Sequence, residues 1–200
     1  MKRGERQIAT RLQDVRADHI ARYQWASAQI KQGIVLDIGA GIGYGSKILA
    51  GRKVLSLEID QGAIAHGQKH FGAWYKRRNL DGIGCFYGVP YAEAAIAFEV
   101  IEHLTRPRQM LERIPADVLF ASVPNQNIWQ YDKNMTFHHR HYTEHGFADL
   151  LESAGWRVVN LDGQFGMHSK VGGYGRTIVV RAERIKPPKR SIAPREIIKA

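Results

Sequence analysis

The chain has 200 residues, 44% of them hydrophobic and 24% charged, which suits one domain with a buried core and leaves little length for a second. No apolar run approaches 18 residues, and the basic segment 1–6 holds no apolar signal core, so we expect neither a membrane span nor secretion. The net charge of +10 is concentrated in 1–16 and 181–200. We interpret these ends as solvated segments, with nucleic-acid binding as the less favoured alternative.

Hydrophobic spacing predicts helices and strands that alternate along the chain. Helices are predicted at 5–30, 44–50, 61–71, 107–113 and 144–154. Strands are predicted at the short apolar runs 34–38, 54–58, 83–86, 94–98, 118–122, 156–161 and 177–181. This alternation indicates an α/β fold with a Rossmann-like, doubly wound and mostly parallel sheet. The last two predicted strands have no helix between them, so we expect the last strand to be antiparallel.

Proline and cysteine positions predict the domain organisation and the compartment. We expect residues 1–182 to form one domain, with 1–32 as an N-terminal helical segment. The prolines of the basic tail 183–200 predict that it is flexible and adds no packed element. Cys85 is the only cysteine, so no intramolecular disulfide can form and a cytoplasmic setting is expected.

The segment after the first predicted strand is rich in glycine. It begins at Asp37 and has the pattern acid-x-G-x-G-x-G. In an open parallel sheet, ligands bind beyond the carboxyl ends of the strands, where glycine lets them approach the backbone. Dinucleotide sites favour G-x-G-x-x-G, and Tyr44 and Ser46 stand where the third glycine would fall in the two registers. The Asp37 carboxylate would repel a pyrophosphate and attract a ligand that carries an ammonium and a sulfonium.

An acid also ends the second predicted strand. Glu58 stands at a position where a carboxylate accepts hydrogen bonds from both ribose hydroxyls. A dehydrogenase places an acid at the same point. Glu58 therefore indicates a ribose-containing ligand without choosing between a nicotinamide and a sulfonium cofactor.

In combination these motifs resemble the class I methyltransferase family, which uses S-adenosylmethionine. The similarity covers about residues 20–182 and is specific for the family, but it says little about the substrate. The matching segments are the first motif at 37–43, the second at 57–59, the fourth-strand motif FEVIEHL at 98–104, the fifth-strand end at 121–125 and the approach to the sixth strand at 144–156.

The resemblance implies S-adenosylmethionine as the cofactor. The backbone of 39–43 would surround its methionine part, Glu58 would hold the ribose and Ile59 would pack on the adenine. Family members often carry an acid after the third strand that meets the adenine amine. This chain has Tyr-Gly-Val at 87–89, so adenine recognition there would fall to backbone groups. The predicted cofactor-binding residues are Asp37, Gly39, Ala40, Gly41, Gly43, Glu58, Ile59, Tyr87, Phe98 and Glu99.

Histidines are the candidate groups for removing a proton from the methyl acceptor. The predicted catalytic residues are His103, His139 and His141. If 99–103 is helical, the E-x-x-E-H string places two carboxylates and an imidazole on one face, which would suit a divalent metal. The alternative is a solvated helix start. Carboxylates would favour Mg²⁺, whereas imidazole would favour Zn²⁺ or Mn²⁺. The predicted metal ligands are Glu99, Glu102, His103 and His139.

The leading hypothesis is a methyltransferase that acts on a hydroxyl or amine of a small-molecule acceptor, with no membrane partner and no predicted oligomeric state. The E-x-x-E-H string also resembles metal-dependent 2′-O-methyltransferases of small-RNA ends, so a metal-assisted RNA methyltransferase is the alternative. A third hypothesis is a catalytically silent protein on the same fold that binds the cofactor or a nucleic acid.

Overall fold

The computed structural model describes residues 8–166 and 170–191. Its strands are β1 (Ile34–Ile38), β2 (Lys53–Glu58), β3 (Tyr75–Arg77), β4 (Ala92–Phe98), β5 (Ala116–Pro124), β6 (Trp156–Gln164) and β7 (Thr177–Arg184). Its helices are α1 (Ala17–Ser27), α2 (Gly45–Ile48), α3 (Gln61–Phe71), α4 (Pro107–Leu111) and α5 (Glu144–Ser153). The strands form one sheet in the order β3-β2-β1-β4-β5-β7-β6.

The sheet is mostly parallel, and its departure from that pattern is β7. Strands β1 to β5 pair in parallel. β7 runs antiparallel to both β5 and β6. It follows β6 without a crossover helix among the described residues, as an antiparallel pair allows. The prediction of a doubly wound α/β fold with an antiparallel last strand is confirmed.

Two apolar layers hold the helices on opposite faces of the sheet. On one face, the buried side chains of α4 and α5 pack with Trp156, whose indole N–H donates to the Leu111 carbonyl oxygen at 3.1 Å. On the other face, residues of α1 and α3 pack against β1, β4 and β5. The central strands are buried on both faces, which explains why they read as continuous apolar runs in the sequence.

This strand order creates a topological switch point between β1 and β4. β1 and β4 are neighbours, and the connections after them lead toward opposite sides of the sheet. Ligands of open α/β sheets bind at such a point, beyond the carboxyl ends of the strands. The glycine-rich turn after β1 and the segment after β4 therefore face the same crevice.

Two predicted elements are wrong in place or extent. The predicted strand 83–86 is a series of turns, with the Cys85 N–H donating to Gly82 and the Tyr87 N–H donating to Gly84. Its buried members, Cys85 and Phe86, fill the core below the sheet, which explains their strand-like apolarity. The predicted helix 5–30 reduces to α1, preceded by a short 3₁₀ turn and an extended backbone at Val15; residues 5–7 lie outside the described part of the chain.

Part of the predicted tail contacts the body of the protein. β7 continues to Arg184, two residues past the predicted domain boundary at 182. The Lys189 ammonium lies 2.8 Å from the Glu112 carboxylate, and the Phe86 N–H donates to the Ser191 hydroxyl. Residues 192–200 lie outside the described residues, so the domain division remains a prediction. None of the helices in the described ranges has the length and apolarity that crossing a membrane requires.

Candidate active site at the carboxyl edge of the sheet

The turn after β1 exposes its backbone to the crevice. Gly39, Gly41 and Gly43 all have positive φ, at 67°, 55° and 74°. The Leu57 carbonyl oxygen accepts hydrogen bonds from the N–H groups of Gly39 and Ala40, at 2.8 and 3.1 Å, which ties the turn to β2. A Cβ added at Gly41 would meet no atom within 4 Å, so a ligand can approach the backbone there.

Glu58 holds the same turn from β2. One carboxylate oxygen accepts from the Gly41 N–H at 2.9 Å, and the other accepts from the N–H groups of Ile59 and Asp60 at the same distance. The residue is buried, with 5% of its surface exposed. Ile59 beside it is half exposed, so an apolar side chain and a carboxylate stand together at the end of β2.

Asp37 is a buried carboxylate with one oxygen unsatisfied. Its Oδ1 accepts from the Tyr23 hydroxyl at 2.7 Å, whereas its Oδ2 has no hydrogen-bond partner. Burial raises the pKa of Asp37 to about 7, although the Tyr23 hydrogen bond opposes this shift and Glu58 adds to it. A buried acceptor without a partner is costly, so Oδ2 is suited to receive a donor or a cation from a ligand.

Helix α1 covers this end of the sheet. The Tyr23 ring makes edge contacts with Phe98 at the end of β4 and with Tyr44 after the turn, at centroid distances of 5.1 and 5.4 Å. Gly45 must lack a side chain because a Cβ there would lie 2.7 Å from Asp37 Oδ2. Tyr23 is therefore a site residue that the sequence prediction omitted. From its helical spacing, Tyr23 could fill the core or cover the cofactor, and the core was the favoured interpretation.

The segment after β4 has a strained backbone at its start, and only its later part is helical. Glu99 has a φ of 54°, which is unfavourable for a residue with a side chain, and the 3₁₀ turn begins only at Ile101. The Ser122 hydroxyl donates to the Glu99 carboxylate at 2.7 Å, and the Glu99 N–H donates to the Ser122 carbonyl oxygen. Glu99 is thus fixed against β5 at the edge of the crevice.

Among the described residues, the structure groups only two of the four predicted metal ligands, Glu102 and His103. Ligand atoms of Glu102, His103 and His138 lie within 4.8 Å of one another, and neither Glu99 nor His139 belongs to this group. The assumption of one helical face fails because the backbone turns at Glu99. His139 is exposed, and its backbone N–H donates to the Glu102 carbonyl oxygen at 2.9 Å.

Histidines from the β5–α5 connection form a chain toward Glu102. His141 Nδ1 lies 2.6 Å from the Trp129 carbonyl oxygen, and its Nε2 lies 2.6 Å from His138 Nδ1. Because a carbonyl only accepts, His141 carries its proton on Nδ1, and a neutral His138 then carries its own on Nδ1. His138 Nε2 is left as the basic nitrogen. The sequence placed His138 in a histidine cluster, but nothing in the spacing distinguished it from its neighbours.

His103 lies beside both Glu102 and His138, and its ring centroid is 4.7 Å from that of His138. Its Nδ1 lies 2.8 Å from the Phe137 carbonyl oxygen, so Nδ1 carries the proton and Nε2 is the basic nitrogen, 3.8 Å from Glu102 Oε1. Glu102 is fully buried. Two basic imidazole nitrogens and one buried carboxylate can together accept a proton or ligate a cation.

The corrected third strand changes the expected adenine region. β3 is followed by 78–81, which contains Asn79 and the acid Asp81. The Asp81 carboxylate accepts from the Arg106 N–H at 2.9 Å, which connects this loop to the segment after β4. Tyr87 instead lines a cavity of about 220 Å³ with Pro188 and Lys189, so the reason for assigning it to the cofactor is removed.

Comparison with known proteins places this architecture among methyltransferase structures. No protein-family model matches the sequence, and no curated protein resembles it significantly. The fold is similar to that of a methyltransferase from Thermotoga maritima described as a possible histamine N-methyltransferase, with a TM-score of 0.65 and 18% identity over 84% of this chain and 90% of that one.

Two further structures show the same likeness. The methyltransferase domain of a bacterial Hen1 has a TM-score of 0.64 and 17% identity, over 84% of this chain and 99% of that chain. A Burkholderia thailandensis 1,6-didemethyltoxoflavin N1-methyltransferase, solved with its substrate and S-adenosylhomocysteine, has a TM-score of 0.60 and 18% identity, over 83% and 79%. At these identities the similarity is one of fold.

Proposed function

We propose that this chain, which has the fold of class I S-adenosylmethionine-dependent methyltransferases, transfers a methyl group to a hydroxyl or amine of a small-molecule acceptor. The observation that carries the proposal is the buried Asp37 Oδ2 without a partner, beside an open glycine turn and the strand-end carboxylate Glu58. These groups suit a cationic ligand that carries a ribose and disfavour a pyrophosphate. The similar structure that holds S-adenosylhomocysteine supports this choice of ligand.

S-Adenosylmethionine would supply an electrophilic methyl group whose donor sulfur leaves as a neutral thioether. The backbone at Gly41 and the carboxylates of Asp37 and Glu58 would orient this cofactor in the crevice. Glu99, fixed by Ser122, would border the acceptor. The proton that leaves the acceptor would pass to His138 Nε2 or His103 Nε2, and His141 would position His138 through their hydrogen bond.

Calorimetry with S-adenosylhomocysteine tests the cofactor assignment, and NAD serves as the competing ligand. We expect S-adenosylhomocysteine to bind and to stabilise the protein by about 2.7 kcal/mol at a concentration of 100 Kd, because the site exists only in the folded state. NAD should produce no heat. Binding of NAD together with no heat from S-adenosylhomocysteine would overturn the proposed function. Binding without release of product from any acceptor would instead favour the catalytically silent alternative.

A histidine substitution tests the acceptor side. We expect His138→Gln to lower turnover by roughly 100-fold with little change in S-adenosylhomocysteine affinity, because the proton acceptor is lost while the cofactor groups remain. His145→Gln is the matched control, since His145 lies exposed on α5, with its Nε2 3.4 Å from the Asp149 carboxylate. Equal turnover in the two variants would exclude His138 from the reaction.

A metal-assisted reaction is the second candidate function, favoured by the close grouping of Glu102, His103 and His138. One carboxylate with two imidazoles suits Zn²⁺ or Mn²⁺ better than Mg²⁺. These residues would hold the ion, which would polarise an acceptor hydroxyl such as the 2′-OH of an RNA end. We expect Mn²⁺ to bind the chelator-treated protein and not its Glu102→Gln variant in calorimetry. Full activity in the presence of chelator would exclude this candidate.

We also infer a cytoplasmic setting, because the one cysteine, Cys85, is a buried thiol in a chain that cannot form an intramolecular disulfide.

A further inference from the structure

A cavity of about 220 Å³ lies at the amino edge of the sheet, opposite the crevice. Its walls are the segment 86–88 ahead of β4, Arg113 and Pro115 ahead of β5, and the tail at 188–191. Both strands begin here, and the Ala92 N–H donates to the Pro115 carbonyl oxygen at 2.8 Å. The seven residues of β4 put roughly 20 Å between this edge and the carboxyl ends of the strands. The cavity is therefore distinct from the site beside the glycine turn.

The tail is fixed at this cavity by contacts on two sides. The Lys189 ammonium lies 2.8 Å from the Glu112 carboxylate, and the Lys189 N–H donates to the Glu112 carbonyl oxygen at 2.9 Å. The Phe86 N–H donates to the Ser191 hydroxyl at 3.3 Å, and a hydroxyl that accepts in this way can still donate its own proton. The tail therefore forms a wall that is attached to the end of α4 and to the segment 86–88.

The charged side chains that line the cavity are all cationic among the described residues, namely Arg113, Lys189 and Arg190. Lys189 is paired with Glu112, whereas neither arginine forms an ion pair with a described carboxylate. Arg113 Nη1 donates to the Gln109 carbonyl oxygen at 2.8 Å, but its Nε is buried and has no hydrogen-bond partner. A buried donor without a partner is costly, and two guanidinium charges without a counterion favour an anion in this cavity.

Tyr87 adds an aromatic ring to the same cavity. The residue lines the cavity and is 52% exposed, and its carbonyl oxygen accepts from Arg78 Nη2 at 3.0 Å. An exposed aromatic ring beside cationic groups suits a ligand whose planar base stacks while its phosphate meets the cations. The cavity is smaller than the roughly 300 Å³ at which pockets for whole ligands begin, so the phosphate fits inside it and the ring of the ligand lies at the rim.

We propose that this cavity binds a phosphate monoester that carries a planar ring, which is the chemistry of a mononucleotide. Arg113 and Arg190 receive the phosphate, because a guanidinium fork matches phosphate oxygens with paired hydrogen bonds. Ser191 donates its hydroxyl proton to the same group, and Tyr87 stacks on the ring. This site goes beyond the proposed function and does not depend on it.

Calorimetry on the whole chain tests this with inorganic phosphate, ribose 5-phosphate and AMP. S-Adenosylhomocysteine is present in excess so that the crevice is occupied. We expect all three probes to bind at roughly millimolar concentration or below, and AMP to bind roughly tenfold more tightly than ribose 5-phosphate, because stacking adds to the phosphate contacts. No binding of any probe, or equal affinities for AMP and ribose 5-phosphate, would overturn the proposal. Failure of S-adenosylhomocysteine to bind would count against the proposed function alone.

Variants assign the binding to this cavity. Arg190→Gln and Arg113→Gln should each weaken phosphate and AMP binding by roughly tenfold, because a charge-assisted hydrogen bond is lost. Arg190 is exposed, so its variant keeps the test valid if Arg113→Gln destabilises the end of α4. Tyr87→Leu should abolish the advantage of AMP over ribose 5-phosphate and leave phosphate binding unchanged.

Lys186→Gln is the matched control, because Lys186 is an exposed cation of the same tail outside the cavity lining. It removes the same charge as Arg190→Gln, and we expect it to leave all three affinities unchanged. Equal weakening in Lys186→Gln and Arg190→Gln would show that net charge alone accounts for the binding, and that result would overturn the proposal.

Discussion

At the scale of single residues, the three glycines of the turn meet different surroundings. A Cβ at Gly39 would lie 2.5 Å from a Val100 methyl group, and one at Gly43 would lie 2.8 Å from the Ala73 side chain. At Gly41 the same atom would enter open space. Packing therefore explains the first and third glycines, whereas under the proposed function the approach of the ligand explains the second.

This difference makes Gly41→Ala a separable test. The positive φ costs an alanine about 1–2 kcal/mol, so the variant should fold with slightly reduced stability. Its Cβ would occupy the space over the turn, and we expect S-adenosylhomocysteine affinity to fall roughly tenfold or more. Gly39→Ala should lose more stability because its Cβ would overlap Val100. Thermal unfolding and calorimetry measure both effects, and unchanged affinity in Gly41→Ala would argue against a ligand at this turn.

At the scale of elements, α5 begins at the N-cap that the sequence predicts and buries the predicted apolar face. Thr143 is its N-cap, and the Thr143 hydroxyl accepts from the Gly146 N–H at 3.1 Å. Phe147 and Leu151, one turn apart, are fully buried on the face that packs against the sheet. The cap fixes where the helix begins, and the helix in turn anchors the end of the connection that carries His138 and His141.

We expect Thr143→Ala to destabilise the protein by about 1 kcal/mol, because the hydroxyl that caps the helix is removed. Thr143→Ser should restore most of the loss. Ser153→Ala is the matched control at the other end of α5. The Ser153 hydroxyl donates to the exposed Leu150 carbonyl oxygen and does not cap the start of the helix. Urea unfolding compares the three variants, and an equal loss for Thr143→Ala and Ser153→Ala would contradict the capping role.

At the scale of the whole molecule, Asp37 links stability to pH. Burial raises the pKa of Asp37 from 3.8 to about 7 in the folded protein. Between those values the folded state retains a proton that the unfolded chain has released, so stability falls as pH rises through this window and levels off above about 7. The groups that face Asp37 are Tyr23 on α1, Glu58 on β2, and Tyr44 after the turn. The cost at pH 8 is on the order of 4 kcal/mol at most.

Asp37→Asn should therefore unfold at a higher temperature than the wild type at pH 8, with a gap that narrows toward pH 5. The same variant should lose affinity for S-adenosylhomocysteine, because the ammonium loses its carboxylate. Wild-type affinity should rise as pH increases through about 7, where Asp37 becomes charged, and the variant should lack this rise. Melting curves and calorimetry from pH 5 to 8.5 check both. A stability gap independent of pH would show that Asp37 does not titrate in this range.

The strand pattern and the glycine-rich turn after β1 were predictable because their signals are local. β1, β2, β4 and β5 are buried strands, so each appears as an apolar run. β3 was missed because it is an edge strand of Tyr75, Lys76 and Arg77, none of them buried, and so it lacks a hydrophobic pattern. The buried turns at 83–86 carried the apolar signal in its place.

By itself, the sequence determined the alternation of strands and helices, the acid-led glycine turn and the strand-end carboxylate Glu58, because each depends on residues a few positions apart. Tertiary structure alone decided which charged groups face the crevice. Arg22 meets Gln164 across 142 residues of chain, and the His138 side chain, rather than that of His139, groups with Glu102 and His103. Such contacts follow from how distant segments pack against the sheet, and no periodicity along the chain records them.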